Sequence, residues 1–135
     1  TAIRPCGVYG IDPRTNRSIG WPFIERIRRG EAFERKGGGK FVHVDDVAAA
    51  TIAAVDNPAA SPAVYNLVDC YARWCDWAQV IANRLGVELD IDDSSPSAPK
   101  NMFDTSATVE DLGVSLDRGF DGITRHIDEM IALGA

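Results

Sequence analysis

The chain has 135 residues, 45% of them hydrophobic and 25% charged, with a formal net charge of −6 at pH 7. That is enough apolar material for one buried core, and it excludes a disordered chain. An acidic balance with no basic cluster denser than "RIRRG" argues against nucleic acid as a partner. No apolar run approaches the roughly 20 residues that span a bilayer, and "TAIRPCGVYG" lacks the regions of a signal peptide, so the expectation is a cytoplasmic protein without a membrane partner.

In chain order, "TAIRP" reads as a buried strand at about 1 to 4 with no polar lead before it, as though the chain began mid-fold. A loop runs to about 18 and a helix from about 19 to 30, closed by Gly30. Short strands are expected near 32 to 36 and 41 to 44, on either side of Gly37, Gly38 and Gly39. A helix over 46 to 56 stops at Asn57 and Pro58. The stretch 63 to 68, "AVYNLV", is a strand, and "CDWAQVIANRLG" is a helix closed by Gly86. A strand near 87 to 91 leads into the Ser/Pro-rich segment "DDSSPSAPK" at 92 to 100, the stretch expected to be most mobile. A short helix near 106 to 112 and a last one from about 117 to 132 complete the chain. Phe120, Ile123, Ile127, Met130 and Ile131 share one face of the last helix, which marks it as docked on a core.

Several stretches invite a chemical reading beside a structural one. In "FVHVDDVAAA", Asp45 and Asp46 stand where a helix begins, and a carboxylate there accepts bonds from free backbone N–H groups. Both read as caps. His43 is either a packed, hydrogen-bonded histidine or a pocket wall; a metal would need a third ligand, and the only other histidine is His126. The alanine-rich helix that follows is small or apolar nearly all round, which predicts a helix sandwiched between two layers. "KGGGK" enters a strand rather than a helix and lacks the Ser/Thr of a phosphate loop, so it reads as a hairpin or turn. Cys6, Cys70 and Cys75 match no zinc or redox spacing and read as reduced structural thiols. Tyr9, in a Gly-bounded loop leaving a strand, is a candidate for lining a site.

The order "IRPCGVYGIDP", "GGGKFVHVDDVAAATIAAV", "VYNLV" and "FDTSATVEDLG", with a closing amphipathic helix, resembles the carboxyl-terminal half of the NAD-dependent epimerase/dehydratase family, the extended short-chain dehydrogenases. The resemblance covers nearly the whole chain. It implies an α/β fold, with the carboxyl-terminal part of a Rossmann-type sheet joined to a small α+β substrate-binding lobe. The strand ending at Arg4-Pro5 and the strand "VYNLV" would be its last parallel strands, and helix 46 to 56 the crossover between them.

The same resemblance implies NAD or NADP as cofactor, with Pro5, Cys6 and Val8 touching only its nicotinamide end. It places Gly7, Tyr9, Phe23, Lys40 and His43 against a small-molecule substrate. The family's glycine-rich cofactor loop is not in this sequence. Nor is its catalytic Tyr with a Lys four residues on, because Tyr9, Tyr65 and Tyr71 are followed at that distance by Pro13, Asp69 and Cys75. By itself the chain is therefore expected to bind no dinucleotide tightly, to be inactive, and to associate as a homodimer or with the missing amino-terminal half. A truncated module that self-associates or binds a protein partner, without catalysis, is the alternative. Members acting on nucleotide sugars carry an arginine where this chain has Gly39 and an asparagine where it has Gly7; Lys40 is a point charge without arginine's bidentate fork.

Overall fold

The computed structural model describes all 135 residues. Five strands and five helices follow one another in the order β1 (Ala2–Pro5), β2 (Gly7–Tyr9), α1 (Trp21–Arg28), β3 (Gly38–His43), α2 (Val44–Ala54), β4 (Val64–Leu67), β5 (Cys70–Arg73), α3 (Trp74–Leu85), α4 (Ser106–Leu112) and α5 (Gly119–Ala132). Two short 3-10 turns, Thr15–Arg17 and Pro58–Ala60, lie in the connections. The strands form two sheets. β1 pairs in parallel with β4, from Ala2 opposite Val64 to Pro5 opposite Leu67. In the second sheet β3 is central, parallel to β2 and antiparallel to β5.

The parallel pair at the start of the chain and at "VYNL" is the one the motifs imply. α2 is the connection between its strands, lying on β1, β2 and β3 and against α4. The larger core gathers Phe23, Ile24 and Ile27 of α1, Trp77, Ala78, Ile81 and Ala82 of α3, and Ile123, Ile127 and Met130 of α5 around Phe41. These positions recur every three to four residues on each helix, so each helix buries one stripe. The smaller core joins Val42, Ala50, Ala60, Tyr65, Leu67 and Leu112.

Four expectations are corrected. The stretches 32 to 36 and 87 to 91 are not strands; they meet in a single parallel bridge, Phe33 with Ile91. The triple glycine is therefore no hairpin. Its partner is β5, which, like β2, is too short for an alternating pattern to reveal. A Cβ on Gly38 would stand 2.3 Å from the carbonyl oxygen of Ala72 and 2.8 Å from Cα of Arg73, so this crossing is too close for any side chain.

The helix expected at 46 begins at Val44, so Asp45 and Asp46 lie in its first turn and neither caps it. The cap is His43, whose Nδ1 accepts the N–H of Asp45 at 3.1 Å. The expected sandwich is also incomplete. Only Asp46 and Ala50 of α2 are buried, while Ile52 is 74% exposed and Val55, just past its end, 65%.

The Ser/Pro-rich segment is tied at its start. Lys36 pairs with Asp92, Ser95 Oγ accepts the N–H of Gly37 at 2.8 Å, and Arg73 donates to the carbonyl oxygens of Asp93 and Ser95, each at 3.1 Å.

Candidate functional site

β2 and β3 run in parallel and in register, and that register sets Tyr9 opposite His43 at the carboxyl ends of both strands. Ligands of α/β folds gather at such ends. The Tyr9 ring is 1% exposed, meets the His43 ring edge-on at 5.0 Å and lies 5.5 Å from the ring of His126. Its hydroxyl occupies the space a side chain on Gly122 would need, since a Cβ there would come within 2.3 Å of the oxygen. Gly122 is thus what allows α5 to close over Tyr9.

Burial, then the charge of Asp69, push the Tyr9 phenol up to about 12, so it is neutral at ordinary pH and no general base. His126 donates from Nε2 to the carbonyl of Ile19 at 2.9 Å. Its Nδ1 and the Tyr9 hydroxyl are buried with no protein partner.

A charged seam holds α5 against this layer. Arg118 donates from Nε and Nη2 to the two oxygens of Asp46, at 2.8 and 3.0 Å, joining positions 72 residues apart. Asp69 accepts the N–H of Gly119 at 3.2 and 3.0 Å, so a carboxylate does stand at a helix amino end, but that of α5. Burial nonetheless raises the pKa of Asp69, and its proximity to Asp46 adds to this. Asp46 is therefore an ion-pair partner, the role that sequence reasoning did not find.

The candidate site residues fall in several places. Pro5 is exposed at the end of β1, and the amide of Cys6 is spent on the carbonyl of Leu67 at 3.2 Å. Val8 and Tyr9 line a cleft of about 260 Å³ with Ile11, Asp12 and Val44. His43 faces a neighbouring cleft of about 330 Å³ with Arg118, Arg125 and His126. At Gly7 a Cβ would be tight, 3.0 Å from the Lys40 carbonyl oxygen and 3.2 Å from the Phe41 ring, so those neighbours would have to give by a few tenths of an ångström.

Phe23 and Lys40 lie in separate clefts. Lys40 donates to Asn101 at 3.1 Å, stands 5.3 Å over the Phe103 ring, and belongs to a cleft of about 410 Å³ with Tyr71 and Lys100. Phe23 is in another, of about 500 Å³, with Trp74 and Arg35. The thiols of Cys6 and Cys70 are pushed up by burial to about 11 and about 12, which makes poor nucleophiles of them. No group of three or more His, Cys, Asp or Glu side chains is disposed to hold a metal ion.

The residues present do not form a dinucleotide cradle. That cradle needs a glycine turn leading from a parallel strand into a helix, with free N–H groups facing the pyrophosphate. Here β1 passes through Cys6 directly into β2. At Gly20, the one glycine that caps a helix amino end, Trp77 and Met130 fill the space beside Cα.

No protein-family model matches this chain, and no curated protein matches it by sequence. Solved structures do match its fold. The Bordetella bronchiseptica enzyme WbmG, in complex with NAD and UDP, superposes with a TM-score of 0.72 at 18% identity over 98% of this chain and 43% of its own. A UDP-glucuronic acid 4-epimerase from Bacillus cereus, bound to UDP-glucuronic acid and NAD, gives 0.63 at 20% identity over 95% and 45%. UDP-glucose 4-epimerase from Thermotoga maritima, with UDP-glucose, gives 0.59 at 22% identity over 96% and 46%. The chain thus has the α/β fold of part of an NAD-dependent epimerase/dehydratase, as the motifs imply, and spans less than half the length of these structures. No helix is long and apolar enough to cross a membrane.

Two measurements follow, the first from the seam. If Asp46 were a cap, asparagine would serve nearly as well; as the partner of Arg118, Asp46→Asn should cost about 1.5–3 kcal/mol in urea melts. Arg118→Gln should cost a similar amount, and the double variant less than the two together. A neutral Asp46→Asn would show that the ion pair contributes no stability.

The second concerns pH. Burial depresses the pKa of His126 below the ordinary value of 6.5, so the unfolded chain takes up this proton first. The stability it contributes is whole above about pH 6.5 and is lost as pH falls through the folded-state value. Between about pH 7.5 and about pH 5 the native protein should lose more stability than His126→Gln. Parallel losses would show that His126 carries no such linkage.

Proposed function

We propose that this chain forms the substrate side of an NAD(P)-dependent epimerase, dehydratase or reductase, the cofactor loop and catalytic base being supplied by polypeptide outside these 135 residues. The observation that carries it is the asymmetry of the fold. The α+β lobe is closed around its own core, while β1 and β4 of the parallel pair each have an unpaired outer edge and a helix, α2, is open on its outer face. Two of the matching structures, the Bacillus cereus epimerase and WbmG, hold NAD, and this chain corresponds to under half of each. Within the reading, Pro5, Cys6 and Val8 stand nearest the nicotinamide end, Gly7, Tyr9 and His43 belong to the wall facing a small-molecule substrate, and Phe23 and Lys40 reach it from clefts of their own on the same lobe. NAD or NADP binds only when both halves are together.

The free β1 edge and the exposed Ile52 and Val55 also bear on partners. Unpaired strand edges and apolar faces favour association, either with the complementary half or with a second copy about a two-fold axis. Calorimetric titration of the chain with NAD and with NADP should show no saturation, and a micromolar dissociation constant for either would overturn the reading. In light scattering behind a sizing column, the chain alone should elute as a dimer. A stable monomer near 14.6 kDa would mean that the open edge and face drive no self-association.

A further inference from the structure

The cleft of about 500 Å³ that contains Phe23 lies between the loop before α1 and the start of α3, and shares Arg17, Ser18 and Ile19 with the neighbouring cleft of Tyr9. Its charge runs against that of the molecule. The chain carries 20 acidic and 14 basic residues, yet no acidic residue lines this cleft, whereas Arg17 and Arg35 both do. Arg26, Arg29, Arg73, Arg84 and Arg118 are tied to carboxylates. The guanidinium groups of Arg17 and Arg35 make neither an ion pair nor a hydrogen bond.

Arg35 is nevertheless held in place, its guanidinium carbon 4.2 Å from the centre of the Trp74 ring and 5.3 Å from that of Phe23. A guanidinium seated on an aromatic face keeps the N–H groups of its edge free for an in-plane acceptor, and a carboxylate matches that fork with two parallel bonds. Of the remaining walls, Ile19, Pro22, Phe23 and the indole of Trp74 offer apolar surface on one side, and Asn16, Ser18 and Gly20 complete the lining. A ligand matching these surfaces has one anionic end and a flat apolar body.

We propose that this cleft binds a monoanionic carboxylic acid with an aryl-type body, its carboxylate held by Arg35 and Arg17 and its ring against Trp74, Ile19 and Pro22. This names a substrate class for the substrate lobe and rests on that reading. The cations present suit one carboxylate better than a nucleoside diphosphate. A free nucleoside diphosphate, with its terminal phosphate ionised, carries more charge than two guanidinium groups neutralise, and the next cation on β3, Lys40, is engaged with Asn101 and Phe103 in a different cleft.

The test is a titration of the 135-residue chain with 3-phenylpropanoate, followed by calorimetry and by the indole N–H resonance of Trp74. The amide of the same acid and UDP are titrated in parallel. The acid should saturate, shift the Trp74 signal and bind at least about tenfold tighter than its neutral amide. Arg35→Gln and Arg17→Gln should each weaken the acid about fivefold or more, and Arg35→Lys, which keeps the charge without the fork, should fall between. Both arginines lie at the surface of the cleft, and a thermal melt checks that each variant is folded; if one is not, the other decides. Equal affinity for acid and amide, unchanged affinity in a folded arginine variant, no saturable shift of Trp74, or UDP outcompeting the acid about tenfold would each overturn the proposal. Micromolar NAD binding would remove the substrate-lobe reading but leave the acid-to-amide ratio intact. Loss of that ratio would remove the acid site and leave the cofactor result untouched.

Discussion

Everything else in this molecule depends on β3 being shared by two cores. Successive residues of a strand point to opposite faces. Phe41 therefore enters the larger cluster under α1, α3 and α5, while Val42 enters the smaller one with Tyr65 and Leu67. The strand is also held on both edges, by β2 on one and β5 on the other. The β5 side is drawn in so far that Gly38 cannot carry a Cβ. At its end the same strand supplies His43, which caps α2 and stands against Tyr9. One strand thus sets the position of both cores, a helix start and the tyrosine layer.

The polar seam complements that strand. Arg118 and Asp46 connect the start of α5, a helix of the larger core, to α2, a helix of the smaller one. Asp69, between β4 and β5, holds the N–H of Gly119 in the same neighbourhood. Arg118 is partly exposed and Asp46 mostly buried, so the pair is less costly to desolvate than a fully interior one, and its bidentate geometry fixes an orientation that apolar packing leaves free. Asp46 in turn favours the charged form of Arg118 and raises its pKa.

The two sheets differ in how complete they are. Two-stranded sheets are marginal in water without a packed face. β1 and β4 have α4 and part of α2, whereas the three-stranded sheet has α3 and α5 packed on it and α1 packed on α3, their buried stripes sharing one core. The lobe is therefore the self-sufficient part, and the parallel pair is held largely by its attachment to it. A protein built this way presents clefts on the lobe and an unfinished edge on the sheet.

Much of this was legible in the residues. The apolar stripe of the last helix, Gly86 as the stop of α3, the short helix at 106 to 112 and the strand at "VYNL" all follow from local rules: periodicity, left-handed glycine and turn chemistry, each acting within a few residues. The parallel pairing of β1 with β4 was legible only through the order of the motifs. β2 and β5 were not, since three or four residues carry no readable period, nor was the pairing of the triple glycine with residues 70 to 73 rather than with its neighbours.

Asp46 shows the limit most clearly. A carboxylate next to a helix start has the chemistry of a cap, and nothing local distinguishes that from an ion pair; Arg118, 72 residues away, decides it. The cleft of Arg17, Arg35 and Trp74 has the same origin, from three segments that meet only in the folded chain. Sequence determined what each segment could become, because backbone conformation is set by near neighbours. Tertiary structure alone decided which charges found partners and which were left free, because that depends on distances between residues that the chain itself keeps far apart.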